Sequence, residues 1–363
     1  MFSELNCEDT ELFYFFSSSF SRDFKKTTFL KSIEQRNLIS TIFVIMSNKG
    51  VVLKSTGKWY IVELEDHSIV NCRIRGKIRL DGLKTTNPIA VGDIVDLDKK
   101  LDEEGNRVIL DFQNRRNYIV RKSTNLSKQM QILAANIDRA YLLVTIHSPV
   151  THLAFIDRFL VAAESFRIPT TLLFNKIDQY NEDDLFYIDA LIDLYESIGY
   201  PCFKISASQK ENIDFLRSEI NDKQVMISGH SGVGKSTLVN ALDSNLNLQT
   251  GEISQAHSQG QHTTTFAEMH KLKSGGYIID TPGIRAFGIV DLEKEVISHY
   301  FPEMRNLIGA CKFHNCQHLN EPKCAVKDAV EKGEISESRY FSYVQLVTED
   351  ENETYRSKKN FTL

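Results

Sequence analysis

Gly229-His230-Ser231-Gly232-Val233-Gly234-Lys235-Ser236 has the spacing G-x-x-x-x-G-K-[ST]. Glycines at these positions let successive backbone N–H groups curl around phosphate oxygens. A helix beginning about Thr237 adds partial positive charge at its N-terminus. In such a loop Lys235 reaches the β and γ phosphates, and the Ser236 hydroxyl ligates Mg2+. Asp280-Thr281-Pro282-Gly283 follows the apolar run 277–279. An Asp at a strand end holds Mg2+ through water, and Gly283 offers an N–H to a γ-phosphate; alone, Thr-Pro-Gly is ordinary turn chemistry. Asn175-Lys176-Ile177-Asp178 follows another strand-like run. A carboxylate here accepts both Watson–Crick donors of guanine, a pair adenine lacks, so Asp178 selects guanine. Asn175 either meets the other edge of the base or ties loops together. Ser206-Ala207-Ser208 can offer backbone N–H to the guanine O6. Together these stretches point to GTP with Mg2+.

Between the phosphate loop and Asp280 lies Gln261-His262-Thr263-Thr264-Thr265. Such a loop supplies a threonine to Mg2+ and orders with GTP. Thr264 or Thr265 is the expected ligand; read by itself, the segment is a polar loop. Ile284 stands after Gly283, where a Ras-like protein carries a water-positioning Gln. An isoleucine cannot orient water, so slow intrinsic hydrolysis is expected, accelerated by a partner. His262 is the alternative water-positioning group.

A second chemistry sits near the C-terminus. Cys311, Cys316, His318 and Cys324 put three thiols and an imidazole within fourteen residues, whereas Cys7, Cys72 and Cys202 are scattered. Cys3His is a tetrahedral Zn2+ set, and four protein ligands make the site structural. His314 competes with His318 for the fourth position.

The elements that must position these residues alternate. Strand-like runs at 139–146, 170–174, 202–205, 225–228 and 277–279 are separated by helical spacing at 153–166, 184–198, 211–220 and 237–242. That alternation predicts a parallel sheet with helices on both faces. The motif order is rotated relative to an ordinary GTPase: the guanine motifs come first and the phosphate loop follows. A circular permutation, closed by the short join 221–223, accounts for it. The γ-phosphate-sensing loop then runs directly into the C-terminal tail, which suggests that nucleotide state moves the tail. Upstream, runs at 50–54, 59–64, 68–73, 94–97 and 107–112 predict a five-stranded barrel of the oligonucleotide-binding type. Arg73, Arg75, Lys77, Arg79 and Lys84 form a basic cluster there that reads either as a solvated loop or as a phosphate-contacting patch. Helical spacing recurs at 325–331 and 337–347. The predicted domains are therefore an extension over 1–46, an OB-type β-barrel over 47–118, a circularly permuted α/β P-loop GTPase domain over 119–300, and a mostly helical zinc-binding domain over 301–363.

The whole-chain net charge of −5 excludes a protein that coats nucleic acid over its whole surface. No run reaches the roughly 18 apolar residues of a membrane span, and the acidic start lacks signal-peptide character. A cytoplasmic monomer is expected. Residues 1–45 hold nine Phe or Tyr with no helical or strand period. Met46 is read as the functional start, with the preceding residues disordered or not native.

Permuted motifs, the preceding barrel and the Cys-x4-Cys-x-His-x5-Cys knuckle together resemble the bacterial ribosome small-subunit-dependent GTPases over residues 48–350. The resemblance implies GTP hydrolysis to GDP and phosphate, stimulated by the small ribosomal subunit during its late maturation. It also implies rRNA contacts through the basic cluster and the zinc tail. A GTP-dependent switch that recruits a protein rather than rRNA is the rival reading.

Overall fold

The computed structural model describes residues 48–74, 88–122, 130–246, 267–280 and 292–349. The extension, His262 to Thr265, Gly283, Ile284, and Arg75, Lys77, Arg79 and Lys84 lie outside the described residues.

The barrel comprises β1 (Lys49–Ser55), β2 (Tyr60–Leu64), β3 (Ile69–Ile74), β4 (Ile94–Leu101) and β5 (Arg107–Phe112). Strands β1, β2 and β3 form a meander; β3 pairs with β5 in parallel, and β4 closes back onto β1. Val52, Tyr60, Val62, Cys72, Val95, Leu97 and Ile109 fill its interior. Asp93 locks the chain entering β4. Its buried carboxylate accepts from the Ala90 N–H at 2.8 Å and takes a two-pronged contact from Arg115 at 2.6 and 2.7 Å. The hairpin β6 (Tyr118–Lys122) and β7 (Met130–Ala135) follows. Val91 bridges Ala134 from the barrel side.

The nucleotide-binding fold begins at β8 (Arg139–Val144) and continues through α1 (Leu153–Ser165), β9 (Thr170–Asn175), α2 (Glu182–Ile198), β10 (Cys202–Ile205), α3 (Ile213–Ile220), β11 (Gln224–Ser228), α4 (Lys235–Leu242), β12 (Glu268–Lys271) and β13 (Tyr277–Asp280). Strands β8 and β9 are buried almost throughout, as expected of central parallel strands. The spatial order β10-β9-β8-β11-β13-β12 is parallel except for β12, which runs antiparallel to β13. Strand β12 also pairs with β1, so barrel and nucleotide-binding sheet are continuous.

Local chemistry moves two helix starts from their expected positions. Asn181 and Asp184 form a reciprocal cap, which starts α2 at Glu182 rather than 184. Glu211 instead pairs with Ser206 through two backbone hydrogen bonds, which delays α3 to Ile213.

Residues 292–349 pack on the far side of α1. A 3-10 turn over Lys294–Tyr300 leads to α5 (Pro302–Arg305), the cysteine loop, α6 (Ala325–Glu331) and α7 (Glu337–Thr348). Ile297, Phe301, Met304, Val326, Tyr343 and Val347 form their core, joined by Val161 of α1.

Candidate functional site

The phosphate loop leaves β11 at Ser228 and enters α4 at Lys235. Gly229, Gly232 and Gly234 all have positive φ, at 142°, 83° and 102°. A Cβ at Gly234 would collide with the Asn175 amide, and one at Gly229 would press on the Leu143 carbonyl and Val233. The glycines are thus demanded by backbone angle and by crowding. Leu238 N donates to the Gly234 carbonyl at 2.8 Å, so Lys235, Ser236 and Thr237 form the first turn of the helix. The Lys235 ammonium folds over the loop and donates to the carbonyls of Gly229 and His230 at 2.8 and 2.6 Å. His230 stacks on Phe155 of α1 with ring centres 3.8 Å apart. Its burial there, with Lys235 and His152 nearby, holds the imidazole below the usual histidine range. Ser231 is exposed, whereas Val233 is fully buried under the loop.

Asn175 ties loops together, one of the two roles that the sequence leaves open. Its amide N donates to the Val233 carbonyl at 2.7 Å, and its side-chain oxygen accepts from the Ala207 N–H at 3.1 Å. One buried side chain therefore ties the phosphate loop, the Asn175–Asp178 loop and the Ser206–Ser208 loop together. Lys176 is left-handed at φ 69°, and its ammonium donates to the Ser148 carbonyl at 2.6 Å. Ile177 opens the short 3-10 turn that presents Asp178. The exposed Asp178 carboxylate accepts from the Ser206 hydroxyl at 2.5 Å and the Ser208 hydroxyl at 3.2 Å. Two hydroxyls thus fix the plane of a carboxylate that faces outward. Tyr180 braces the same loop, accepting from Ile146 N and donating to the Asn175 carbonyl. Its sequence signal was an aromatic beside the motif, which sequence reasoning passed over.

Asp280 ends β13 opposite Glu268 of β12, next to the strand that feeds the phosphate loop. Of the basic cluster, Arg73 is described. It is engaged by Asp102 at 2.7 Å and Glu104 at 3.7 Å.

In the C-terminal unit the ligand atoms of Cys311, Cys316, His318 and Cys324 all lie within 4.8 Å of one another. His318 Nδ1 is 3.6 Å from the Cys311 sulfur and 3.3 Å from that of Cys324, and the two sulfurs are 4.0 Å apart. Tetrahedral Zn–S bonds of about 2.3 Å place ligand atoms about 3.7 Å apart, so the donor set fits Zn2+. His314 is exposed outside the cluster, whereas His318 is buried within it. Burial, with Cys324 and Cys311 alongside, pushes the Cys316 thiol up to about 12; a bound dication reverses that preference. Helix α7 supports the loop. Tyr340 and Tyr343 donate to the carbonyls of His318 and Gln317 at 2.7 and 2.6 Å. The Glu321 carboxylate caps the N–H groups of Gln317, Leu319 and Asn320. Sequence reasoning missed these three supports.

Comparison with known proteins agrees with this architecture. The profile described as RsgA GTPase matches residues 112–290, and that described as RsgA N-terminal domain matches 49–106. "Small ribosomal subunit biogenesis GTPase RsgA 2" of Bacteroides thetaiotaomicron is 52% identical over 309 residues, covering 85% of this chain and 99% of its own. "Small ribosomal subunit biogenesis GTPase RsgA" of Flavobacterium johnsoniae is 54% identical over 314 residues, covering 85% and 95%. Among solved structures, YjeQ from Thermotoga maritima aligns with a TM-score of 0.67 at 36% identity, over 83% of this chain and 98% of its own. YloQ, described as a circularly permuted GTPase, aligns with a TM-score of 0.64 at 30% identity, over 83% and 94%. With barrel, rotated motif order and nucleotide loops in place, the chain belongs to the RsgA family of GTPases.

Proposed function

We propose that this chain hydrolyses GTP in the late maturation of the small ribosomal subunit, slowly by itself and faster on the subunit. The carrying observation is the Asn175 tie together with the Asp178 carboxylate held by Ser206 and Ser208. It supports a guanine reader fixed in register with a phosphate loop. The two relatives' names supply small-subunit biogenesis as the setting.

The roles follow from the site. Asp178 accepts the Watson–Crick donors of guanine, and the Ala207 N–H would exchange its Asn175 partner to donate to O6. Backbone N–H groups from Gly229 to Thr237 surround the phosphates. Lys235 exchanges the Gly229 and His230 carbonyls for phosphate oxygens. Ser236 and Asp280, with Thr264 or Thr265, are the oxygen donors that would hold Mg2+, which suits a hard cation. When bound, Mg2+ neutralises charge developing on the phosphates. Gly283 offers its N–H to the γ-phosphate. Ile284 provides no water-positioning group, so the subunit is expected to complete the hydrolytic site. Cys311, Cys316, His318 and Cys324 hold one structural Zn2+, which orders the tail. The partner is rRNA, engaged by a cytoplasmic monomer.

Turnover of GTP with and without purified small subunits tests the reading. Stimulation by subunits, with GTP-dependent and salt-sensitive co-sedimentation, is expected. Unchanged turnover overturns the reading, and stimulation by a protein fraction free of rRNA favours the protein-recruiting switch. For the metal, Cys316→Ser is expected to abolish stoichiometric zinc by elemental analysis and to loosen the tail in hydrogen exchange.

A further inference from the structure

The strand pair β12–β13 lies between the Thr263–Thr265 segment and the Asp280 motif in sequence, and the barrel holds it at both ends. Its register sets Glu268 opposite Asp280 and Lys271 opposite Tyr277. At the Asp280 end, Lys54 of β1 pairs with Glu268, ammonium to carboxylate at 2.8 Å. At the other end stands Glu63 of β2, whose side chain is 4% exposed. Its carboxylate takes the Lys271 ammonium on one oxygen and the Tyr277 hydroxyl, at 3.1 Å, on the other. His67 Nδ1 lies 2.9 Å away on the barrel side. The Lys271 ammonium also sits 5.9 Å from the centre of the Tyr277 ring.

A buried carboxylate with charge-assisted donors on two different strands resists separation, because removing a partner leaves a buried charge. The β1–β2 ribbon and the β12–β13 pair are therefore one mechanical body. That body carries Asp280 and, on its barrel side, the β1–β2 turn at the same end of the strands, with the Glu63 anchor at the other end.

We propose that Glu63 is a coupling residue outside the hydrolytic site: by holding Lys271 and Tyr277 it links the barrel to the strand that delivers Asp280, so that a partner on the barrel acts on GTP hydrolysis through it. The proposal rests on the GTPase reading above. Coupling of this kind is reciprocal in binding: if bound nucleotide changes the barrel, a partner on the barrel changes nucleotide affinity by the same factor.

The chain carries its own reporter. Trp59, its single tryptophan, lies on the barrel just before β2 and is partly exposed. Acrylamide quenching of Trp59 is compared with GDP and with a non-hydrolysable GTP analogue bound. A nucleotide-dependent difference is expected in the wild type. It is expected to shrink at least threefold in Glu63→Gln, with nucleotide Kd and unstimulated turnover within twofold of wild type. A purely packing role would lower thermal stability with either nucleotide and leave the Trp59 difference intact. Should Glu63→Gln fail to fold, Tyr277→Phe removes one donor and carries the same comparison. A wild-type Trp59 that is blind to the nucleotide, or a variant that keeps the full difference, overturns the proposal. In a second arm, subunit-stimulated turnover of Glu63→Gln is expected to fall at least fivefold while co-sedimentation is retained. Unaltered stimulation overturns the coupling. Absence of stimulation in the wild type counts against the functional reading instead, and the Trp59 comparison then decides the coupling alone.

Discussion

The two flanking units dock on the nucleotide-binding fold in opposite styles. The C-terminal unit plugs into α1 through a charge cluster whose central pair is fully buried. Arg339 and Asp157 are both 0% exposed and meet at 2.7 Å, and Glu303 takes the rest of the guanidinium at 2.7 and 3.2 Å. Tyr195 donates to the same Asp157 oxygen at 2.9 Å, and the Phe301 ring lies 4.6 Å from the guanidinium carbon. The barrel instead extends the sheet across β12, using one half-exposed ion pair and the Glu63 anchor. Charges buried that deeply have no water to exchange partners with, so the first joint has one geometry. The second joint is fixed at Glu63 and offers solvent only at its Lys54–Glu268 end. The rigid joint is built on the helix whose first turn stacks Phe155 on the phosphate loop. The second joint, which moves as one body with β12 and β13, is built on the strands next to the γ-phosphate motifs. Sequence order suggested that the tail moves with nucleotide state; the Arg339–Asp157 pair ties the described part of the tail to α1.

The sharpest way to break this contrast is Arg339→Ala. Stranding Asp157 and Glu303 is expected to destabilise the C-terminal unit by about 3–5 kcal/mol, measured by denaturant unfolding. A triple replacement, Arg339→Met with Asp157→Leu and Glu303→Leu, is expected to recover much of that loss; recovery of none would mean that the lock acts through more than its charges. A smaller effect is expected from pH. Burial pushes the Glu63 carboxyl up, but the hydrogen bonds from Lys271, His67 and Tyr277 outweigh it and hold the group below the usual carboxylate range. A lowered carboxyl adds stability while ionised. The contribution is therefore complete above the unfolded value of about 4.3 and is lost as pH falls through the lower folded value. The stability difference between wild type and Glu63→Gln is expected to be level near neutrality and to shrink below about pH 4. The smallest change belongs to Lys54→Ala, about 0–1 kcal/mol and weaker in high salt. A larger loss would mean that the Lys54 end of the barrel joint is locked as firmly as its Glu63 end.

What could be read beforehand was local. Three contiguous motifs, the cysteine spacing and the barrel strands were legible because each lies within a short window of sequence. Strand β12 was not. Glu-Met-His-Lys has no strand signature, and it is extended because β1 and β13 flank it. The β6–β7 hairpin was also missed, since its pairing partners are separated by a polar stretch without a tight-turn signal. Asp157 and Arg339 stand 182 positions apart and resemble ordinary surface charges on amphipathic helices. Arg73 looked available to RNA in the sequence, whereas Asp102 and Glu104 hold it in the fold. Asn175 could be narrowed to two roles from the sequence, and the Val233 and Ala207 contacts show the tying role.

The pairing of β1 with β12 has a consequence for synthesis. Lys54 and Glu268 are 214 residues apart. At about 5–20 residues per second, a ribosome takes roughly 11–43 s to deliver the second after the first. Throughout that interval the emerging barrel presents an unpartnered stretch of strand β1 to the cell. The charge on Lys54 at that stretch discourages strand addition by other chains, so a residue that contributes little to the finished fold guards the chain while it is being made.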